Sequence, residues 1–178
     1  MNAPWDDRGD RRLLRRMADG DRDALAELFD RHAAGLFAHA VAMSRSPADA
    51  EDLVQSVFVK LAGMGARLLG IRSAGAYLHG MLRAAFLDGE RHRGAAAEEP
   101  LEGLDPPGGS GVAEADRLAL QAALGRLPVE QREVVVLHAV QGLTFREVAM
   151  RTNTSMWTVA SRYRLGLDRL RGILGAQR

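Results

Sequence analysis

The stretch from Leu127 to Leu174, LPVEQREVVVLHAVQGLTFREVAMRTNTSMWTVASRYRLGLDRLRGIL, decides the fold. Its own punctuation divides it into three helical runs. Pro128 suits a first helical turn, where a missing N–H costs nothing, and Val134, Val135, Leu137 and Val140 follow at helical spacing. Gly142 supplies a left-handed stop. Thr144 with Glu147 three residues on is the pattern of a capping box, starting a short helix that buries Phe145, Val148 and Ala149. Thr152, Asn153 and Thr154 form a break, in which Asn153 is the residue best able to adopt a positive φ. Ser155 caps a third helix whose inward stripe is Val159, Tyr163, Leu167, Leu170 and Leu174.

The far face of that third helix opens with Trp157, Thr158, Ser161, Arg162 and Arg164, residue types that hydrogen-bond base edges and neutralise phosphates. Two helices, a tight turn and an outward polar face make a helix-turn-helix, with the third helix of the stretch as reader. The plainer alternative is a solvated arginine face, common on any amphipathic helix. Charge distribution separates the two. The formal net charge is only +1, but residues 1–94 carry +1, residues 95–116 carry −6 and residues 117–178 carry +6. A basic C-terminal module fits phosphate binding, and an acidic connector would stay off DNA. Lys60 is the only lysine, so the arginine excess reflects genome composition before function.

With 47% hydrophobic residues the 178-residue chain is not disordered as a whole, and it is long enough for one ordinary domain or two small ones. No run approaches the roughly 20 apolar residues of a membrane span, and no secretory apolar core follows the charged start. A cytoplasmic protein without membrane insertion is expected. The absence of cysteine excludes disulfides, thiol catalysis and cysteine-ligated zinc.

Upstream, helical signals continue. Asp10 to Ala18 reads as a short helix ended by Gly20. Asp21 can cap a long one striped by Leu25, Leu28, Phe29, Leu36, Phe37, Ala40 and Val41, with His32 and His39 as packing or surface residues. Ser46, Pro47 and Asp49 give the clearest helix start in the chain. The helix they open buries Leu53, Val54, Val57, Phe58 and Leu61 and shows Asp49, Asp52, Gln55, Ser56 and Lys60 outward. Its first-turn acids complement the helix dipole, and no second carboxylate cluster completes a metal site.

A glycine-interrupted loop from Gly63 to Ser73 holds Arg67, Arg72 and the trio Leu68, Leu69 and Ile71. From about Ala74 a helix turns Tyr77, Leu78, Met81, Leu82, Ala85 and Phe86 inward and His79, Arg83, Asp88, Arg91, His92 and Arg93 outward. Residues 94–111 abandon periodicity for proline, glycine and acid, the composition of a flexible linker. Helical pattern resumes at about Val112, and strand-like alternation is absent from the sequence. The expected fold is all-α: two small helical domains, 1–93 and 112–178, joined by a flexible acidic linker.

DAEDLVQSVF, AYLHGMLRAAFLD, LPVEQREVVVLHAVQGLTFREVA and TVASRYRLGLDRLR together resemble a bacterial sigma-70 family factor of the extracytoplasmic-function group. The likeness runs from Asp10 to about Leu174 in order and spacing. It implies a non-enzymatic transcription initiation factor with neither cofactor nor metal. Its partners would be core RNA polymerase, through the β′ clamp helices and the β flap, promoter DNA and, by analogy, an anti-sigma factor. Asp49, Asp52, Leu53, Gln55 and Ser56 fall in the segment implied to dock on the clamp helices, with Phe58 supporting the fold. Arg67, Arg72, Arg83, Asp88, Arg91 and Arg93 fall where the minus-ten element is opened and read. There a flipped base needs an apolar or aromatic pocket beside positive charge. Trp157, Thr158, Ser161, Arg162 and Arg164 would read the minus-thirty-five element. Tyr77 stands where the family usually has tryptophan, Ala84 where it has asparagine, Ala160 where it has lysine, and Trp157 where a small residue is common.

A second reading, a stand-alone helix-turn-helix regulator, predicts stable duplex binding without polymerase, whereas the sigma reading predicts weak binding alone. A hydrolase or nuclease lacks any close-spaced acid, base or metal-ligand motif.

Overall fold

A computed structural model describes residues 7–44, 46–93 and 114–175. The linker 94–111 and residues 112 and 113 at the head of the second domain lie outside the described residues. Those described form eight α-helices: α1 (Asp7–Ala18), α2 (Arg22–Met43), α3 (Pro47–Ala62), α4 (Ala74–Arg93), α5 (Glu114–Gly125), α6 (Val129–Val135), α7 (Phe145–Thr152) and α8 (Met156–Gly175). A 3-10 turn (Gly65–Gly70) lies between α3 and α4, and a π-helical segment (Val136–Val140) extends α6. No strand occurs among the described residues.

Local chemistry sets the helix ends. The Asp21 carboxylate accepts from the Asp23 and Ala24 amides, and Ser46 accepts from the Asp49 amide with Pro47 behind it. Thr144 and Glu147 form both halves of the capping box, and the chain leaves α7 through Asn153 at φ 51°. Gly142 turns at φ 72°. Pro128 is itself the N-cap, so α6 begins one residue later than the sequence suggests. The π segment was not foreshadowed: the Gln141 amide reaches back five residues to the Val136 carbonyl. The 3-10 turn inside the expected 63–73 loop explains its apolar trio, because Leu68 and Ile71 are buried while Leu69 is exposed.

Two hydrophobic cores form. Leu14, Leu28, Leu36, Val57, Leu61, Leu82 and Phe86 centre the first, within α1 to α4. Leu124, Leu127, Val134, Leu137, Val148, Val159 and Leu170 centre the second, within α5 to α8. The α6 and α8 backbones meet at Gly166, where a Cβ would lie 2.8 Å from Val135 Cγ2. The lobes also pack on each other, α2 against α6 and α4 against α7, so that Ala42 of α2 joins the second core and Val129 of α6 touches the first.

That contact corrects two expectations about facing. His79, expected outward on α4, is buried, and Arg83 is largely so, because the C-terminal lobe covers that side. Tyr77, expected inward, is 38% exposed. On α2 the stripe is likewise displaced: Phe29 is 40% exposed and His39 fully buried, since the helix is packed by α3 on one side and α6 on another.

Candidate polymerase and nucleic-acid interfaces

Three surfaces gather the residues singled out in the sequence. The first is α3, aimed by its Ser46 cap. Asp52 and Gln55 are exposed, and Asp49, Leu53 and Ser56 are half-buried beside them. The Ser56 hydroxyl donates to the Leu53 carbonyl at 2.8 Å, so it is turned along its own helix. Phe58 is buried and stacks obliquely on Phe29, ring centres 4.8 Å apart. Between α2 and α3 lies a hollow of about 310 Å³ lined by Phe29, Ala33, Ala34, Phe37, Glu51, Val54 and Gln55. An apolar floor with acid and amide at its rim can seat a helix that presents apolar residues and cations.

The second is a cleft of about 820 Å³ between the 3-10 turn and α4, lined in part by Arg67, Arg72, Tyr77, Met81 and Ala84. Arg67 and Arg72 are exposed at its edge, and the Tyr77 hydroxyl lies 3.6 Å from Met64 Sδ. Aromatic and thioether surface under two guanidinium groups suits an unstacked base and its phosphate. Farther along α4, Arg91 and Asp88 form an exposed pair at 3.8 Å, one turn apart, a geometry worth little in stability. Arg93 closes α4, its side chain outside the described set. Arg83 does not join this group: it donates to Glu133 of α6 and stands 3.9 Å from Glu130. Asn153, in the turn between α7 and α8, lines the same cleft from the other lobe.

The third surface is the start of α8. The Ser155 hydroxyl accepts from the Thr158 amide at 3.1 Å and meets the Thr158 hydroxyl at 2.9 Å, holding the first turn. Trp157 is 88% exposed, with Met156, Ser161 and Arg164 exposed around it. Arg162 is half-buried, and its Nη1 is enclosed without a hydrogen-bond acceptor among the described residues. Behind this face His138, Phe145 and Tyr163 form an aromatic cluster, ring centres 4.4 to 5.4 Å apart, that fixes α7 on α8.

Sequence reasoning missed a fourth set, at the seam between the lobes. Glu133 is fully buried, bonded to His39 Nε2 at 2.7 Å and to Arg83. His39 and His79 are hydrogen-bonded to each other through their Nδ1 atoms at 2.8 Å. Arg132, also buried, donates to the Ala42 and Met43 carbonyls at the C-terminal end of α2, and the Gln141 amide donates to the Ala38 carbonyl at 2.6 Å. Burial opposes charge on Glu133, but its bonds to His39 and Arg83 outweigh that and hold its carboxyl below the usual range. Burial first, then the neighbouring His39, Arg151 and His32, push His79 down to about 2. The available signal was a charged pair, Arg132 and Glu133, opening an otherwise apolar run. In the first lobe Asp10 and His32 form a similar buried pair at 2.8 Å. Among the described residues no three His, Asp or Glu side chains stand close enough to hold a metal ion, and no helix is long and apolar enough to cross a membrane.

Residues 28–96 match the family model for sigma-70 region 2, and residues 117–170 the one for sigma-70 region 4. The chain is 35% identical to the ECF RNA polymerase sigma factor SigM of Mycobacterium tuberculosis, over 95% of this chain and 86% of the relative. It is 31% identical to the RNA polymerase sigma factor CarQ of Myxococcus xanthus, over 91% and 95%. Among solved structures, CnrH in complex with the cytosolic domain of CnrY aligns with a TM-score of 0.65 at 27% identity, over 96% and 99%. The sigma factor RpoE bound to the anti-sigma factor NepR from Bartonella quintana shares the fold, with a TM-score of 0.60 at 24% identity, over 90% and 99%.

Proposed function

The chain belongs to the sigma-70 family, in its extracytoplasmic-function group, and on that premise we propose which surface performs which step. It is an initiation factor that directs RNA polymerase to promoters. In our reading residues 1–93 form the lobe that grips polymerase and the minus-ten element, 94–111 a flexible linker, and 112–178 the lobe that reads the minus-thirty-five element and touches the β flap. Asp52 and Gln55, with Asp49, Leu53 and Ser56, meet the β′ clamp helices, whose apolar side enters the hollow beside Phe29. Arg67 and Arg72 hold the melted strand while a base enters the cleft over Tyr77; Arg91, Asp88 and Arg93 extend that track. Trp157, Thr158, Ser161, Arg162 and Arg164 lie in the major groove. The chain does no bond chemistry and works in the cytoplasm, where polymerase is. An anti-sigma partner is proposed from CnrH and RpoE, which were solved bound to CnrY and to NepR.

The observation that carries this reading is the exposed polar face of α3 and the exposed start of α8 on one chain, each inside its own matched region. Transcription in vitro with purified core polymerase across a pool of genomic promoters tests it. The expected result is a set of start sites sharing two upstream elements. Duplex binding that is equally strong without polymerase, with no start sites, would favour the stand-alone regulator. Replacing Asp52 and Gln55 together by alanine should cut β′ capture several-fold with unchanged helical content; undiminished capture removes α3 from the interface.

A further inference from the structure

Every exposed position on α1 is an arginine: Arg8, Arg11, Arg12 and Arg15. Leu13, Leu14 and Met17 hold the opposite face in the core, so helical periodicity gathers the four arginines into one outward stripe. Arg16, off that stripe, is answered by Asp21 and Glu27, each at 2.7 Å. Asp10 is buried and already taken by His32 and Arg31. The stripe itself is not answered. Among the described residues none of its four arginines has a carboxylate partner, and Arg11 Nε donates only to the Asp7 carbonyl of its own helix, at 3.1 Å.

Such a stripe works against the helix that carries it. Arg8 with Arg11 and Arg12, and Arg15 with the same two, set like charges three and four residues apart, where they repel, and Arg8 also meets the positive end of the helix dipole. Genome composition accounts for arginine in place of lysine but not for the missing acids, which the same lobe places on α3 as Asp49, Glu51 and Asp52. A partner of fixed negative charge relieves the repulsion that the chain leaves in place.

Position says which partner. α1 packs on the 3-10 turn that carries Arg67, with Leu13 and Leu14 in one core with Leu68. Elements in contact lie about 8 to 10 Å apart, so the stripe runs beside the edge of the minus-ten cleft. Seven residues of helix are about 10 Å long, enough to face about three phosphates of one strand. α1 carries no aromatic side chain on which a base could stack, and it lies ahead of residues 28–96, the segment matched to sigma-70 region 2.

We propose that the arginine stripe of α1 is a sequence-independent track for the DNA phosphate backbone, continuing the minus-ten cleft past Arg67 along the first helix of the chain. This rests on the sigma reading above, since a strand leaves that cleft only in a chain that opens a promoter there. The stripe supplies charge and no base preference.

Polymerase reconstituted with the full chain and bound to one promoter, over roughly 50 to 200 mM salt, tests it. Arg12→Gln with Arg15→Gln should make log affinity against log salt shallower by about 1.4 on a single strand and about 1.8 on duplex. Arg12→Lys with Arg15→Lys should keep the wild-type slope, because an ammonium group also neutralises a phosphate. The glutamine variant should melt no lower than wild type, since it removes like-charge pairs, and should select the same start sites from a promoter pool. A slope that glutamine leaves unchanged overturns the track. So does loss of β′ capture with the slope intact, which would assign the stripe to polymerase, or a loss confined to certain promoter sequences, which would mean base reading. Any of these alongside normal wild-type start sites leaves the sigma reading standing. No start sites from wild type, with the slope difference kept by the free chain on plain duplex, would sink the sigma reading and leave the stripe a phosphate binder.

Discussion

Trp157 stands 88% exposed on the first turn of α8, beside Met156 and among hydroxyls and guanidinium groups. A large indole in water gains from any apolar partner, and the one apolar feature of the major groove is the thymine methyl. Trp157→Ala should therefore relax the preference for thymine at one upstream position by about 0.8 kcal/mol, the value of one buried methylene-sized group, or about fourfold. Deoxyuridine at that position should cost the wild type the same factor and the variant nothing. A uniform loss over all sequences would instead assign Trp157 to the backbone. Arg162 differs, because its enclosed Nη1 has no acceptor among the described residues and so favours a partner that brings one. Arg162→Ala should lose about 1 to 3 kcal/mol of upstream binding if the contact is bidentate, and Arg162→Lys should not restore it. A footprint unchanged over the upstream element excludes the contact.

Helix ends were legible in the sequence because their chemistry is local: Asp21, Ser46, the Thr144–Glu147 box and Asn153 each act within four residues of chain. Helix faces were legible only where one neighbour covers them. α4 and α2 are covered from two sides, once by their own lobe and once by α6 and α7, so a single-stripe reading turned His79 and Arg83 outward and left His39 unassigned. The residues of the α3 and α8 faces stood out because outward polar groups on a striped helix are visible in one dimension. Partners 94 and 50 positions apart, as Glu133 is from His39 and Arg83, are not. Gly166 was also silent in the sequence, though α6 and α8 meet there with no room for a Cβ. Gly166→Val should overpack that crossing by about 1 to 3 kcal/mol and lower the melting temperature by about 3 to 10 °C. An unchanged melting curve would mean that the two helices separate without cost.

The seam between the lobes should make the folded chain sensitive to acid, and the direction follows from His79. Its imidazole, facing His39, Arg151, His32, and the Arg83 and Glu133 pair beyond His39, is held at about 2, far below the ordinary 6.5. Above pH 6.5 the ring is neutral whether the chain is folded or not, and pH does not matter to it. Below 6.5 an unfolded chain takes up a proton that the folded one refuses, so the folded form loses stability as pH falls, by at most about 1.4 kcal/mol per pH unit for one proton. Glu133 acts in the same sense but lower: its carboxyl is held below 4.5, so its contribution is present above that value and disappears only as pH drops through it. Of these two groups, His79 is therefore the one whose contribution changes between pH 7.5 and 5.5. The melting temperature should fall over that range. His79→Asn, whose amide can still donate to His39, should flatten that dependence. Equal slopes for wild type and His79→Asn would show that the ring titrates freely and that the seam does not exclude its charge.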